Sequence, residues 1–590
     1  MRAAPGVGGP GPPGRRPPAA LAPVVTGALL AALAGARLAS TLPEIANRHA
    51  LGWDSARRAM LDVEAADALR AGDLGRYVLY LAGPETWPTL RLSVAAPAHA
   101  LAGPTRALAV EHALSLVLTA ALFLGLGLAA RCVTSRPGEA LLVLAVSAAV
   151  LAGNRPLLVH AADAMLEVPS ALLTLLAAAA WVSSRESATP RPWGVALLGN
   201  LLFHVKWQHG LILAAAVLGT EACQGDPLRA ARAAGAALAE GLRTRAGQVL
   251  LASVVALSAL AAWVALAGGW EGRVLGLPLS LHRAQGPVAF GALAAFAYLE
   301  LALWRARERL AGEIPGRVRF LWAWLATPMV AWLLVPFTWR LRTLALTSFD
   351  YVSGETPPDL AARLLFYPRA AVTGWAPPGL QWALLLLLVA SVLAAWRRPE
   401  TRRLIVPLAA LAAAELLALL LLNRHNYQAR FILNLAPLAA LWAAAWIPAV
   451  PRPVVGAALA LGAAAVFAFG AAPGWERPAL AATLAQGFET TETGDSCRSL
   501  ARALPLSRGV LLNRTSLSHR QTCALWVKLV ARERGADVDV YGVWLRARWE
   551  EALVLAEGCA SVEGPEGFFP DGAEVASGPL CGRRYRLARP

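Results

Sequence analysis

Charge is scarce in this chain. Only 16% of its 590 residues are Asp, Glu, Lys or Arg, while 57% are hydrophobic, and ordinary soluble domains carry about 25% charged residues. A water-soluble globular enzyme is thereby excluded, and the mean hydropathy of +0.51 agrees. Nucleotide-binding signatures are lacking too. No P-loop run is present, and Gly125-x-Gly127 lies inside an apolar span without strand-turn-helix context, so it is not a dinucleotide fingerprint. No repeat of solenoid type occurs. The formal charge of +16 would suit a nucleic-acid partner if basic side chains lined one face. They fall instead in short clusters between apolar spans, which reads as a topology signal.

What the chain has in abundance is apolar blocks of about 17 to 25 residues, the length a helix needs to cross roughly 30 Å of hydrocarbon. Helices are forced, because in lipid the backbone must satisfy its own hydrogen bonds. Residues 21–42, 107–130, 139–152, 164–182, 193–203, 210–220, 249–266, 288–304, 320–336, 380–396, 404–422, 431–447 and 454–469 read as crossings, about 13 in all and several of them short. The fold expected is an all-α polytopic membrane protein, with residues 1–20 as a cytoplasmic Pro/Gly/Arg-rich segment, 21–472 as the transmembrane domain and 473–590 as a separate tail. The first apolar stretch is too long for a signal-peptide core and lacks a small-residue cleavage site, so a retained signal anchor is expected.

The segment 193–220 decides the topology. As one helix it would put the basic linkers 305–319 and 397–403 outside, against the positive-inside rule. Broken at His204-Val205-Lys206-Trp207-Gln208-His209, it puts both linkers inside and removes Lys206 from mid-membrane, where a lysine costs about 2.5 to 3.5 kcal/mol. The loops 43–106, 153–163, 204–209, 268–287, 339–378 and 423–430 then lie outside, with the tail. The tail is mixed polar, with β-like runs at 509–513 and 538–543 flanking a helical stretch at 517–534, and reads as a small extracytoplasmic α/β domain. Cys497, Cys523, Cys559 and Cys581 fall in it. An even number on the oxidising side suits disulfides, the alternative being four buried thiols.

The first outer loop, 43–106, carries Gly52-Trp53-Asp54-Ser55-Ala56-Arg57-Arg58, an amphipathic stretch to Gly72-Asp73, and then Trp87-Pro88-Thr89-Leu90. A helix lying on the membrane surface fits this pattern. Asp54 at its start is either an N-cap or a carboxylate that deprotonates a hydroxyl nucleophile. His160, Asp163 and Glu167, if helical, share one face. They could hold a divalent cation, but no fourth ligand is evident, and acids at a helix start also simply complement its dipole. Two outer loops gather cations and a phenol: His204, Lys206 and His209 in one, Arg424, His425, Tyr427 and Arg430 in the other. They suit a lipid phosphate leaving group or interfacial anchoring.

In order, these pieces resemble the GT-C glycosyltransferases that use polyprenyl-phosphate-sugar donors, the group including protein O-mannosyltransferases and aminoarabinose transferases. The likeness spans residues 21–437. It rests on Trp53-Asp54-Ser55, Gly72-Asp73, Trp87-Pro88-Thr89-Leu90, Met165-Leu166-Glu167-Val168-Pro169, Lys206, and Arg430-Phe431 with Pro437. Ser55 stands where the family has a second acid, Glu167 where it has Asp, and Trp207-Gln208 where it has Gly-Pro. The resemblance implies sugar transfer to an acceptor hydroxyl of a glycan, lipid or protein on the outer side, with inversion at the anomeric carbon. Asp54 would be the base. Lys206, Arg424 and Arg430 would hold the donor phosphate, and Asp163, Glu167 and His160 would orient the acceptor or a cation. Arg57, Tyr427 and His204 are further candidates. The high Ala, Arg and Gly usage suggests a GC-rich bacterial source, so the membrane expected is a bacterial plasma membrane. A transporter or lipid-handling protein is the alternative, but its usual sign, interrupted helices in matching halves, is missing.

Overall fold

The computed structural model describes residues 21–46, 51, 53–82, 89–103, 106–186, 191–268, 270–274, 277–281, 285–335, 340, 357, 359–422, 427–506, 509–515, 517–536, 538–539, 551–563 and 568–587. Each apolar block read from the sequence falls, among the described residues, mainly on helical backbone, the 164–182 block becoming helical only from Glu167. Among the described residues, eight helices are long and apolar enough to cross a membrane, and three shorter apolar ones accompany them at Pro137–Ala152, Trp193–Phe203 and Gln381–Arg397. Fewer than the expected crossings therefore reach full length. An 11-residue helix such as Trp193–Phe203 rises only about 16 Å, and the 316–333 stretch is interrupted by a π-turn at Trp322–Ala326.

The apolar pattern is that of a protein immersed in hydrocarbon. On the Ala22–Ala46 helix, Val25, Leu29 and Leu33 form an exposed stripe at four-residue spacing, and Trp382, Leu386, Val389 and Leu393 form one at spacings of four, three and four on Gln381–Arg397. On helices this long and apolar such faces suit a hydrocarbon surrounding. The chain is a polytopic integral membrane protein. Small residues let its helices approach closely. A Cβ on Gly127 of the Ala107–Val133 helix would lie 2.5 Å from the Pro23 carbonyl oxygen of the first helix, while one on Gly125 would meet Leu172 of the Glu167–Glu186 helix at 3.2 Å.

The 193–223 region is broken as expected. Trp193–Phe203 and Trp207–Cys223 are separate helices, with Lys206 extended between them at φ −153°. They pack so tightly that a Cβ on Gly210 would meet the Phe203 backbone at 2.4 Å.

The expected surface helix is present at Trp53–Arg70, but it is not laid open on the membrane. Most of it is buried, between the Thr89–Ala102 helix and the Leu517–Glu533 helix of the tail. The reason is its acidic face. Glu64 and Asp67 meet Lys528 and Arg532 of the tail helix, and Asp62 meets Arg91. Gly72 at φ 70° ends the helix, and Asp73 then caps the Leu74–Ala82 helix through the Arg76 amide at 2.9 Å.

The last spanning helix, Pro453–Trp475, leads through Arg477–Ala485 and Thr491–Ala503 into a mixed sheet. Its strands are β3 (Gly509–Asn513), β4 (Val538–Asp539), β5 (Glu551–Glu557), β6 (Phe568–Pro570), β7 (Val575–Ser577) and β8 (Leu580–Leu587), following a separate hairpin of β1 (Trp270–Val274) and β2 (Leu277–Leu281). The order is β4-β3-β5-β8-β6, with β7 also on β8. The two pairs made by β3 are parallel and the others antiparallel. Cys497 is bonded to Cys523 and Cys559 to Cys581, while Cys132 and Cys223 are free.

Candidate active site

Four of the residues singled out from the sequence meet at the end of the helical domain that faces the tail. Asp54 stands in the first turn of the Trp53–Arg70 helix, and its Oδ2 is 3.6 Å from Arg430 Nη2. Arg430 sits in the 3-10 turn Ala429–Leu435, its Nε 4.0 Å from Glu167 Oε1. Lys206 Nζ lies 3.4 Å from the same Glu167 oxygen. Acid and base thus alternate from Asp54 to Lys206. The Asp54 carboxylate is 27% exposed, whereas that of Glu167 is 4% exposed, so Asp54 is the one an incoming molecule meets. Since Trp53 is already helical, Asp54 lies inside the first turn and not at the cap position.

Glu167 Oε1 faces both cations, while Oε2 is buried without a hydrogen-bond partner among the described residues. Phe431 underlies the two cations, its ring centre 5.5 Å from Lys206 Nζ and 5.7 Å from Arg430. Arg430 Nε also donates to Gln428 Oε1 at 2.6 Å. Met165 Sδ takes an N–H of Arg58 at 3.0 Å. Burial pulls the Lys206 ammonium below its ordinary value, with Glu167 opposing and Arg430 reinforcing the drop. Burial likewise lowers Arg58, against the carboxylates of Asp54 and Glu167.

His160, Asp163 and Glu167 do not form one helical face, because residues 160–166 are turns and bends. His160 Nδ1 pairs with Asp163 Oδ2 at 2.7 Å, the Met165 amide donates to Asp163 Oδ1 at 3.0 Å, and Glu167 turns to Lys206. The trio is not assembled as metal ligands. Burial alone would lower His160, but the Asp163 carboxylate outweighs it and raises the imidazole above its usual value. The turn is held by side chains the sequence reading passed over. On the Ala107–Val133 helix, His112 Nδ1 is 2.9 Å from the Ala162 carbonyl, Ser115 donates to that of Asp163, and Thr119 donates to that of Ala161 at 3.0 Å. Polar residues at spacings of three and four in an apolar span were the available signal.

The remaining candidates lie elsewhere. Tyr427 is buried, stacked on Tyr367 at 5.5 Å and edge-on to Phe366. His204 turns to Thr89 Oγ1 at 3.5 Å and to the Trp332 ring, and His209 is buried against Glu415 at 3.2 Å. Arg57 is half-buried on the Asp54 helix. Gly52, Trp87, Pro88, Arg424 and His425 lie outside the described residues. A second ionic cluster, Asp62, His99 and Glu111, brings three potential ligand atoms within 4.8 Å of one another. There Arg91 pairs with both carboxylates and His99 Nε2 lies 2.5 Å from Glu111 Oε1, so a protein cation already occupies the place of a metal.

No family model and no curated protein matches the chain. Among solved structures it is similar to ArnT of Cupriavidus metallidurans bound to undecaprenyl phosphate, at 12% identity and a TM-score of 0.46, covering 96% of this chain and 98% of that one. It is also similar to the archaeal oligosaccharyltransferase AglB of Archaeoglobus fulgidus, in complex with an inhibitory peptide and a dolichol-phosphate. There the identity is 15% and the TM-score 0.43, covering 87% of this chain and 63% of that one.

Proposed function

We propose that the chain is a GT-C membrane glycosyltransferase that moves a sugar from a polyprenyl-phosphate donor to an acceptor hydroxyl on the extracytoplasmic side of a bacterial plasma membrane. The observation that carries this reading is an accessible carboxylate, Asp54, 3.6 Å from Arg430, with Lys206 reaching the same cluster through Glu167. A general base and two phosphate-seeking cations are then neighbours where spanning helices end. That is the place where a lipid-borne phosphate and a water-borne acceptor can meet.

In this scheme the acceptor O–H gives its proton to Asp54 as its oxygen bonds to the anomeric carbon from the face opposite the carrier. The carbon–oxygen bond to the phosphate breaks, and the phosphate leaves with the electron pair, its growing charge met by Lys206 and Arg430. Glu167 and the His160–Asp163 pair frame the acceptor side. The orientation is supported by the basic linkers at the opposite ends of the helices. The transporter reading gains no support, since the Asp54, Arg430, Glu167 and Lys206 cluster lies at one end of the helical domain. Purified protein in liposomes should consume a polyprenyl-phospho-sugar and release free polyprenyl phosphate. No consumption across a panel of donors and acceptors would refute the proposal.

A further inference from the structure

Glu415 is a carboxylate with no part in the chemistry proposed above, yet it lies in the Pro399–Leu422 helix within the stretch long and apolar enough to span a membrane, at 1% exposure. Ionised side chains are costly there, and those that occur face partners. Glu415 has two, from different parts of the chain. Its Oε1 is 3.2 Å from His209 Nδ1, and its Oε2 accepts from Asn434 Nδ2 at 3.4 Å. His209 opens the same helix that Lys206 precedes, and Asn434 closes the same 3-10 turn that carries Arg430. One carboxylate thus braces, from the membrane side, the two backbone segments that present the cations.

The brace answers a physical difficulty. Lys206 and Arg430 both approach Glu167 Oε1, at 3.4 Å and 4.0 Å, and two cations brought that near repel each other. Glu167 attracts both from one side and Asp54 pairs with Arg430 at 3.6 Å; an anion behind the two cations adds a further restraint on their spreading. Among the influences on Lys206, where burial disfavours the charge, Glu415 favours it.

We infer that Glu415 is a positioning residue that fixes the spacing of Lys206 and Arg430, and so the width of the seat they offer to a phosphate. This rests on reading the two cations as phosphate holders. The test is the affinity of the full-length protein in detergent for a short-chain polyprenyl monophosphate, with thermal unfolding alongside. Glu415→Gln and Glu415→Leu are each expected to weaken binding about tenfold, the scale of a lost charge-assisted contact. Whereas Glu415→Gln keeps the shape and one hydrogen-bonding oxygen, Glu415→Leu should lower the melting temperature as well, because it leaves buried His209 and Asn434 without their partner. Added to Lys206→Ala it should weaken binding no further, because both act on one seat.

Wild-type affinity in both Glu415 variants, with weakened binding in Lys206→Ala and Arg430→Ala, would overturn the inference and leave the phosphate reading standing. A lowered melting temperature with unchanged affinity would overturn it as well, since that is what a purely structural carboxylate does. If Glu415→Leu does not fold, Glu415→Gln decides alone: weakened binding supports the inference and wild-type binding overturns it. Unchanged binding in Lys206→Ala and Arg430→Ala would overturn the phosphate reading itself, and the inference with it.

Discussion

Replacing Lys528 by Met tests whether the tail holds the helix that presents Asp54. Lys528 Nζ is 2.8 Å from Glu64 Oε1 and 3.5 Å from Asp67 Oδ2, with side-chain exposures of 3% for Lys528 and 0% for Glu64. Removing one member of a buried pair costs about 3 to 5 kcal/mol. Here the residual partners reduce that figure: Glu64 Oε2 keeps Arg76 at 3.3 Å and the Tyr80 hydroxyl at 3.2 Å, and Asp67 keeps Arg532 at 3.0 Å. A loss of about 2 to 3 kcal/mol is expected. Because Thr522 also donates to the Leu51 carbonyl at 3.2 Å, just before the helix starts, a loosened tail should lower turnover as well as stability. The assay is a double-mutant cycle with Glu64→Gln, read by unfolding of the detergent-solubilised protein and by sugar transfer in parallel. Lys528→Met combined with Glu64→Gln should recover at least about 1 kcal/mol relative to additivity. Strict additivity, or full stability in Lys528→Met alone, would refute the clamp.

Other consequences are as direct. A cysteine placed at Lys206 should react with an impermeant reagent from the extracytoplasmic side and one placed at Ala311 only from the cytoplasmic side; the reverse would move the site to the other face. Non-reducing digestion should recover Cys497 with Cys523 and Cys559 with Cys581, leaving Cys132 and Cys223 alkylatable, and removal of either bond should cost about 2 to 4 kcal/mol in the tail. The raised His160 pKa means that its pairing with Asp163 contributes fully below the unfolded value of about 6.5 and is lost as pH rises through the higher folded value. The stability gap between wild type and His160→Asn should therefore shrink from about pH 6 to about pH 8, and a gap that widens would contradict the assigned pair.

Much of this site was legible in the sequence because its parts sit where chemistry punctuates apolar runs. Glu167, Lys206 and Arg430 are charges at the edges of spans, Asp54 opens a helix in an outer loop, and a membrane sorts such segments onto two planes. Which of them touch depends on packing between distant segments, and that was not legible. The Met165 contact with Arg58, the zipper of His112, Ser115 and Thr119, and Glu415 under the two cations each need a partner far along the chain. The helical spacing assigned to His160, Asp163 and Glu167 failed because Ser115, Thr119 and the Asp163 side chain offer the 161–165 backbone competing hydrogen bonds. The Trp53–Arg70 helix was read as open to the membrane surface because the residues that cover its acidic face, Lys528 and Arg532, belong to the tail.

The central claim is that Asp54 takes the acceptor proton, and Asp54→Asn in proteoliposomes tests it most directly. The change keeps shape and removes the proton acceptor, while relieving Arg430 of a competing anion at 3.6 Å, so polyprenyl phosphate should bind at least as tightly as in wild type. Turnover of a polyprenyl-phospho-sugar should fall at least about 100-fold with that binding preserved. Near-wild-type turnover of the same donor would contradict the assignment and pass the role of base to Asp163 or Glu167.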